Sequence, residues 1–301
     1  MGIDRKGMSA DDALAALEAL RADDPPVHGG RVMAYVYDSG NPEASAAGRR
    51  ALAAFGEVNG LDPTAFPSVA RIENDLVGWG LDLVRAPEGA AGLVTSGGTE
   101  SCILACLAAR ERWRATGETG TPVIVLADTA HPAFYKAAHV LGFDTYVVPV
   151  DRETLRLTGS AVVRALEDVG RRAALVVASA PSYAHGVIDD VPAIATAAAE
   201  RGVPCHADAC IGGFVLSYLR RAGEQVADWD MSVPGVDSVS LDLHKYGYSP
   251  KGASLLLFRT PEYRQGTFFA FSRWPGYPVV NTTLQSTKSA GPMADRKSTR
   301  L

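Results

Sequence analysis

From Pro122 onward the chain alternates short, nearly continuous apolar runs with longer segments of helical period. The runs cover 123–127, 145–148, 174–178, 203–207, 238–241 and 254–258. A strand covered on both faces reads this way, whereas a strand with one wet face alternates. Between the runs lie the helical patterns 132–141, 160–169 and 191–201, the last closing on Arg201-Gly202 as a glycine stop. The alternation predicts parallel strands joined by crossover helices, an α/β sheet. Upstream, 10–22 predicts an amphipathic helix ended by Asp23-Asp24-Pro25-Pro26, and 28–42, rich in Gly and Tyr, predicts an extended arm. The chain is therefore expected to divide into an amino-terminal helix and arm (1–60) and a large domain (61–292). After Gly291-Pro292-Met293 no further apolar period is visible, and 293–301 reads as a non-native tail of a truncated gene product.

Composition narrows the function classes. With 301 residues, 47% hydrophobic and 21% charged, the chain can bury one or two sizeable cores. A net charge of −5 provides no basic face for a phosphodiester backbone, which argues against a nucleic-acid partner. No apolar run reaches the roughly 18 residues of a membrane span, and Met1 to Lys6 lead into no signal core, so a soluble cytoplasmic protein is expected. Cys102, Cys106, Cys205 and Cys210 are too few for a disulfide framework. Cys102 and Cys106 lie four apart on a predicted helix, and Cys205-His206 is near Cys210, so the alternatives are a zinc site and small buried side chains. Without a Cys-x-x-Cys pair the expectation is no metal.

Four strings carry candidate chemistry. Lys245 lies just past a predicted strand, where α/β sheets present active-site groups, and a lysine there can form a Schiff base with an aldehyde; the alternative is a solvated surface charge. In Thr95-Ser96-Gly97-Gly98-Thr99-Glu100-Ser101 two glycines permit close approach, and Thr99 opens a helix whose free N–H groups favour a phosphate; the alternative is an ordinary helix cap. Asp208, at a strand end, can face a protonated pyridine nitrogen or cap the next helix. His131, at the mouth of another crossover, can stack on a flat ring or face water.

In this order the strings resemble the fold-type I pyridoxal-phosphate (PLP) enzymes, and within them the group II decarboxylase superfamily and its sphingosine-1-phosphate lyase branch. The resemblance is carried by residues 95–101, by His206-Ala207-Asp208-Ala209-Cys210-Ile211-Gly212-Gly213, by Asp242-Leu243-His244-Lys245-Tyr246-Gly247-Tyr248-Ser249-Pro250-Lys251-Gly252, and by Phe66-Pro67-Ser68 through Glu73. It covers about residues 30–292. It implies a mostly parallel seven-stranded sheet flanked by helices, with the family's small carboxy-terminal domain missing. It also implies roles: Gly97, Gly98 and Thr99 around the cofactor phosphate, His131 on the ring, Asp208 on the pyridine nitrogen, His244 beside the phosphate, and Lys245 joined to the aldehyde. Family members are dimers with shared active sites, so Tyr35, Tyr37 and Ser289 of the Ser286-Thr287-Lys288-Ser289 loop are candidates to reach substrate or the partner's site. Here that loop reads Ser-Thr-Lys-Ser-Ala-Gly where relatives carry a Gly-Ser-Arg-type string.

The activity so implied is that of a PLP-dependent carbon–carbon lyase acting on an amine substrate through its imine with the cofactor. Cleavage of the Cα–Cβ bond of a phosphorylated amino alcohol would release an aldehyde. The competing reading is a group II amino acid decarboxylase releasing CO₂, and a reading of another class is an inactive truncated homologue of the fold. The lyase and the decarboxylase both require Lys245 and Asp208 to share one cavity.

Overall fold

The computed structural model describes residues 7–32 and 34–299 and divides the chain into two units, Met1–Asn41 and Pro42–Leu301. The first unit holds one helix, α1 (Ala10–Ala19), whose N-cap Ser9 accepts a hydrogen bond from the Asp12 N–H. It is three residues shorter than expected and buries no side chain. Residues 31–41 form no regular element among those described, so the expected arm is irregular rather than extended strand.

The second unit begins with α2 (Pro42–Ala54) and α3 (Pro67–Leu83), continues through β1 (Ala91–Thr95), α4 (Gly98–Ala115), β2 (Val123–Ala127), α5 (Ala133–Leu141) and β3 (Asp144–Val148), then α6 (Gly159–Val169), β4 (Ala173–Ser179) and α7 (Val191–Ala199). There follow β5 (Cys205–Asp208), α8 (Gly213–Arg221), β6 (Val236–Leu241), β7 (Ser254–Phe258), α9 (Pro261–Arg264), a hairpin of β8 (Phe269–Phe271) and β9 (Val279–Asn281), and α10 (Gly291–Ser298). Seven strands form one sheet in the order β1-β7-β6-β5-β4-β2-β3, with β7 antiparallel to both neighbours and every other pairing parallel.

The continuous apolar runs follow from burial on both faces. In β2, Val125 and Ala127 join the core beneath α3, α6 and α7, while Ile124 and Leu126 pack against α4 and α5. β4 repeats the arrangement, Val176 and Ala178 on one side and Leu175 and Val177 on the other. Burying a side chain of this size stabilises the fold by about 1.5–3 kcal/mol. A seventh strand, β1, went unread among the apolar runs because its five residues run directly into the glycine string. Its last residues are secured from outside the sheet: the Val94 N–H donates to Glu73 Oε1 (2.9 Å) and Lys288 Nζ donates to the Val94 carbonyl (3.1 Å).

Two boundaries differ from expectation. α2 belongs to the large unit, so the division falls after Asn41 rather than after residue 60. The segment from 293 forms most of α10, a buried helix packed on α2 and α3. Its apolar content is low, but Met293 and Ala294 join the main core and the Arg296 guanidinium lies 4.2 Å from the Trp79 ring centroid. Met293, Ala294 and the Arg296 cation–π contact help seat it, and hydrophobic period alone does not detect such a helix. Among the described residues no helix is long and apolar enough to cross a membrane.

Candidate active site

The carboxyl ends of β1, β2, β5 and β6 converge on one cavity of about 370 Å³. Each contributes the first residues of the loop that follows it, as open α/β sheets do. β1 supplies Ser96 to Glu100, β2 supplies His131, β5 supplies Asp208 and Cys210, and β6 supplies Asp242, His244 and Lys245. Lys245 and Asp208 face one space, as the imine chemistry expected from the sequence requires.

The glycine string is built as a cradle. Gly97 caps α4, so the N–H groups of the first turn have no partner inside the helix and the positive end of its dipole faces the cavity. A Cβ on Gly98 would stand 2.7 Å from both Asp242 carboxylate oxygens and 3.0 Å from Cys210 Sγ, so only glycine fits. Glu100, which the sequence reading passed over, is buried and ties two loops together. Its Oε2 accepts from the Ser96 N–H (2.6 Å), and its Oε1 accepts from the Leu284 N–H (2.7 Å). The signal was available: a glutamate at the third helical position reaching back to the backbone is half of a capping box. Behind the cradle, the hydroxyls of Thr95, Ser101 and Ser254 form a chain of contacts at 2.7 and 3.0 Å that ends on the Leu241 carbonyl (3.1 Å), linking β1, α4, β7 and β6.

Asp208 ends β5, and its Oδ1 accepts from the Cys210 N–H (3.1 Å) and the Ser240 hydroxyl (3.4 Å). Ser240 also touches His206 Nε2 (3.1 Å), and His206 Nδ1 contacts Ser238 Oγ (2.8 Å). Burial pushes the His206 pKa down to about 4, against the pull of Asp208, so this imidazole is neutral near pH 7. It braces the strand that presents Asp208.

Lys245 Nζ lies 2.8 Å from Asp242 Oδ2. Burial by itself would lower the Lys245 pKa, but the Asp242 carboxylate, with Cys210 and Asp208, outweighs it and holds the ammonium well above the usual lysine range. In the sequence Asp242 carries no role of its own within the Asp242–Gly252 string; the geometry makes it the partner of Lys245. Its other oxygen, Oδ1, is buried without a hydrogen-bond partner. His244 Nδ1 contacts the Ala253 carbonyl (2.9 Å), and burial lowers its pKa although Asp242 lies 3.5 Å from Nε2.

The remaining candidates are placed differently. His131 is exposed; its Nδ1 accepts from the Ala133 N–H (3.1 Å), and its ring meets Tyr183 edge-on at 6.5 Å. Thr99 is exposed at the rim. Ser289 does not line the cavity: its hydroxyl donates to the Gly56 carbonyl (2.8 Å) and accepts from the Gly291 N–H (3.1 Å), starting α10. Tyr35 and Tyr37 belong to the amino-terminal unit, with Tyr35 exposed and at a positive φ of 69°.

Residues 32–272 match the pyridoxal-dependent decarboxylase conserved domain. The chain belongs to that family. Among its curated relatives, this decarboxylase-family chain is 34% identical over 290 residues to sphingosine-1-phosphate lyase 1 of Rattus norvegicus, covering 96% of this chain and 50% of the rat protein. It is 32% identical to the sphingosine-1-phosphate lyase of Dictyostelium discoideum, covering 96% and 54%. The chain thus spans about half the length of the curated relatives it matches. Among solved structures it is similar to the sphingosine-1-phosphate lyase of Burkholderia pseudomallei, with a TM-score of 0.93 at 32% identity over 99% of this chain and 70% of that one. Likeness to the glutamate decarboxylase of Lactobacillus brevis, TM-score 0.80 at 22% identity over 99% and 68%, shows the shared fold. These identities put the chain in the sphingosine-1-phosphate lyase-like branch of the superfamily.

The cofactor is pyridoxal phosphate, and the residues present fit it. The cradle leaves no room for a side chain at Gly98, the first turn of α4 offers unpaired N–H groups, and an amine and a carboxylate face the same cavity. Its volume lies in the range of small-molecule sites.

Proposed function

We propose that this chain carries the catalytic centre of a PLP-dependent carbon–carbon lyase that cleaves the Cα–Cβ bond of a phosphorylated amino alcohol and releases an aldehyde. The single observation behind the reading is the convergence of Lys245, Asp208 and the Gly98 cradle on one cavity. The choice of bond is supported by relatives at 32–34% identity that are named as lyases, whereas the neighbouring decarboxylase at 22% speaks to the fold alone.

When bound, pyridoxal phosphate supplies an electron sink conjugated to the substrate's α-carbon. The chain does the rest. The first turn of α4, with Gly97, Gly98 and Thr99, would hold the phosphate, and His244 lies beside it. Lys245 Nζ would bond covalently to the cofactor's aldehyde carbon, and Asp208 would keep a proton on the pyridine nitrogen. His131 would cover the ring. The Lys245 amine, 2.8 Å from Asp242, would take up and return protons at the substrate's reacting carbons. The carboxylate then stabilises each ammonium so formed. Tyr35, Tyr37 and the loop carrying Ser289 are proposed to contact substrate or a partner's site in a homodimer, and a cytoplasmic location is proposed with them.

The test is spectroscopic and then chemical. Purified protein with added PLP should absorb in the visible, and borohydride should fix the cofactor's mass on Lys245. Lys245→Ala should show neither. A colourless, unlabelled wild-type protein would end the reading. With colour established, aldehyde release from phosphorylated amino alcohols supports the lyase, and CO₂ release from amino acids supports the decarboxylase instead.

A further inference from the structure

The sequence grouped Cys102 with Cys106 and Cys210 with Cys205-His206, and the expectation of no metal left Cys102 and Cys210, 108 positions apart, with nothing to pair them. The fold brings their thiols together. Cys102 comes from the second turn of α4 and Cys210 from the turn after β5, and both line the cavity. Cys102 Sγ, Cys210 Sγ and the Asp208 carboxylate lie within 4.8 Å of one another, all buried. An independent observation points to a ligand. The Asp242 side chain is 2% exposed and its Oδ1 has no hydrogen-bond partner. That oxygen and Cys210 Sγ both flank Gly98, 2.7 and 3.0 Å from where its Cβ would sit.

We propose that, when the cofactor is absent, Cys102, Cys210 and Asp208, with Asp242 beside them, bind one thiophilic divalent cation such as Zn²⁺ or Cd²⁺. Two thiolates select a soft or borderline metal over Mg²⁺ or Ca²⁺, and a carboxylate oxygen completes a common zinc donor set. Metal–ligand distances of about 2.0–2.3 Å require the three donors to draw in by roughly an ångström, a side-chain adjustment. The Cys210 thiol donates to the Ser240 hydroxyl at 3.2 Å. Each thiol releases its proton to solvent as the metal–sulfur bond forms. No electron transfer is involved. Lys245, already paired with Asp242, balances part of the negative charge.

The metal occupies Asp208, the carboxylate assigned to the cofactor's ring nitrogen, so cation and cofactor exclude one another. That competition rests on the proposed function; the metal site itself does not.

The experiment uses the whole chain, freed of cofactor with hydroxylamine and titrated with Cd²⁺ alone. A thiolate-to-metal charge-transfer band should saturate at one equivalent, weaken at least tenfold in Cys102→Ser and in Cys210→Ser, and persist in Cys106→Ser and Cys205→Ser. Prior loading with PLP should suppress it. The proposal is overturned by absence of the band in protein with native circular dichroism, or by its survival in the Cys102→Ser/Cys210→Ser double variant. X-ray absorption of the Zn²⁺-loaded wild type gives a reading independent of any variant: two sulfurs at about 2.3 Å support the site, and any other sulfur count refutes it. A PLP colour without a metal band sinks the metal site and leaves the function standing. A metal band indifferent to PLP removes the competition and counts against the cofactor assignment.

Discussion

Lys245 can attack an aldehyde only as the free amine, and Asp242 at 2.8 Å opposes that form. Replacing Asp242 with Asn removes the main force holding the ammonium and leaves burial, which acts the other way. The Lys245 pKa should fall, and each unit of fall multiplies the free-amine fraction about tenfold near neutral pH. Growth of the visible band after adding PLP to Asp242→Asn should accelerate by that factor in a stopped-flow trace, with its pH profile moved to lower pH. An unmoved profile would show that Asp242 does not set the state of Lys245. At Gly98, substitution by Ala drives a methyl against the Asp242 carboxylate at 2.7 Å. Overpacking of this kind costs about 1–3 kcal/mol. Gly98→Ala should lower the melting temperature by several degrees and weaken PLP binding at least tenfold by fluorescence titration; a variant with wild-type affinity would show that the cradle has slack.

The strand pair β5–β6 carries the site on a buried histidine. His206, fully buried in β5, is held between Ser238 and Ser240 of β6, and Ser240 in turn contacts Asp208. Unfolded, its imidazole binds a proton below about pH 6.5; folded, only below about 4. Between these values the unfolded state holds more protons, so this residue's contribution to stability is full above pH 6.5 and is lost as pH falls towards 4. A shift of this size corresponds to roughly 3 kcal/mol. Asp189 and Asp295, both pushed up to about 6 by burial, tilt the same window in the opposite direction. The measurement must therefore compare His206→Gln with the parent: their difference in urea midpoint should change by an amount worth about 3 kcal/mol between pH 6.5 and 4, with the variant gaining on the parent as pH falls. A pH-independent difference would mean that His206 is already protonated in the folded state.

On the scale of the whole molecule, the β8–β9 hairpin and the turn between its strands leave Phe269, Phe271, Trp274, Tyr277 and Val280 between 40% and 66% exposed. Aromatic area of that density marks an interaction surface. The chain leaving the hairpin runs directly to the rim of the cavity, where the Leu284 N–H reaches Glu100 and Lys288 reaches Val94. A second copy docked on the hairpin would then bear on the site itself, as the proposed homodimer requires. Sedimentation of the wild type at micromolar concentration should give a dimer, and Phe269→Glu/Phe271→Glu should give a folded monomer with weaker PLP binding. An equal dimer content in both proteins would place the interface elsewhere.

The strands from Pro122 to Phe258, and the helices between them except α8, were legible in the residues, because burial on both faces of a sheet leaves short continuous apolar runs that alternate with longer segments of helical period. The placement of Lys245, Asp208 and the glycine string at the carboxyl ends of strands was legible as well, because each string directly follows an apolar run. What the tertiary structure alone decided is who stands beside whom. The pairing of Asp242 with Lys245, the Glu100 brace, the meeting of Cys102 with Cys210 and the seating of α10 all join positions through space. Whether a carboxylate caps a helix, holds an ammonium or lies bare in a cavity depends on distances of a few ångströms, which local periodicity does not encode.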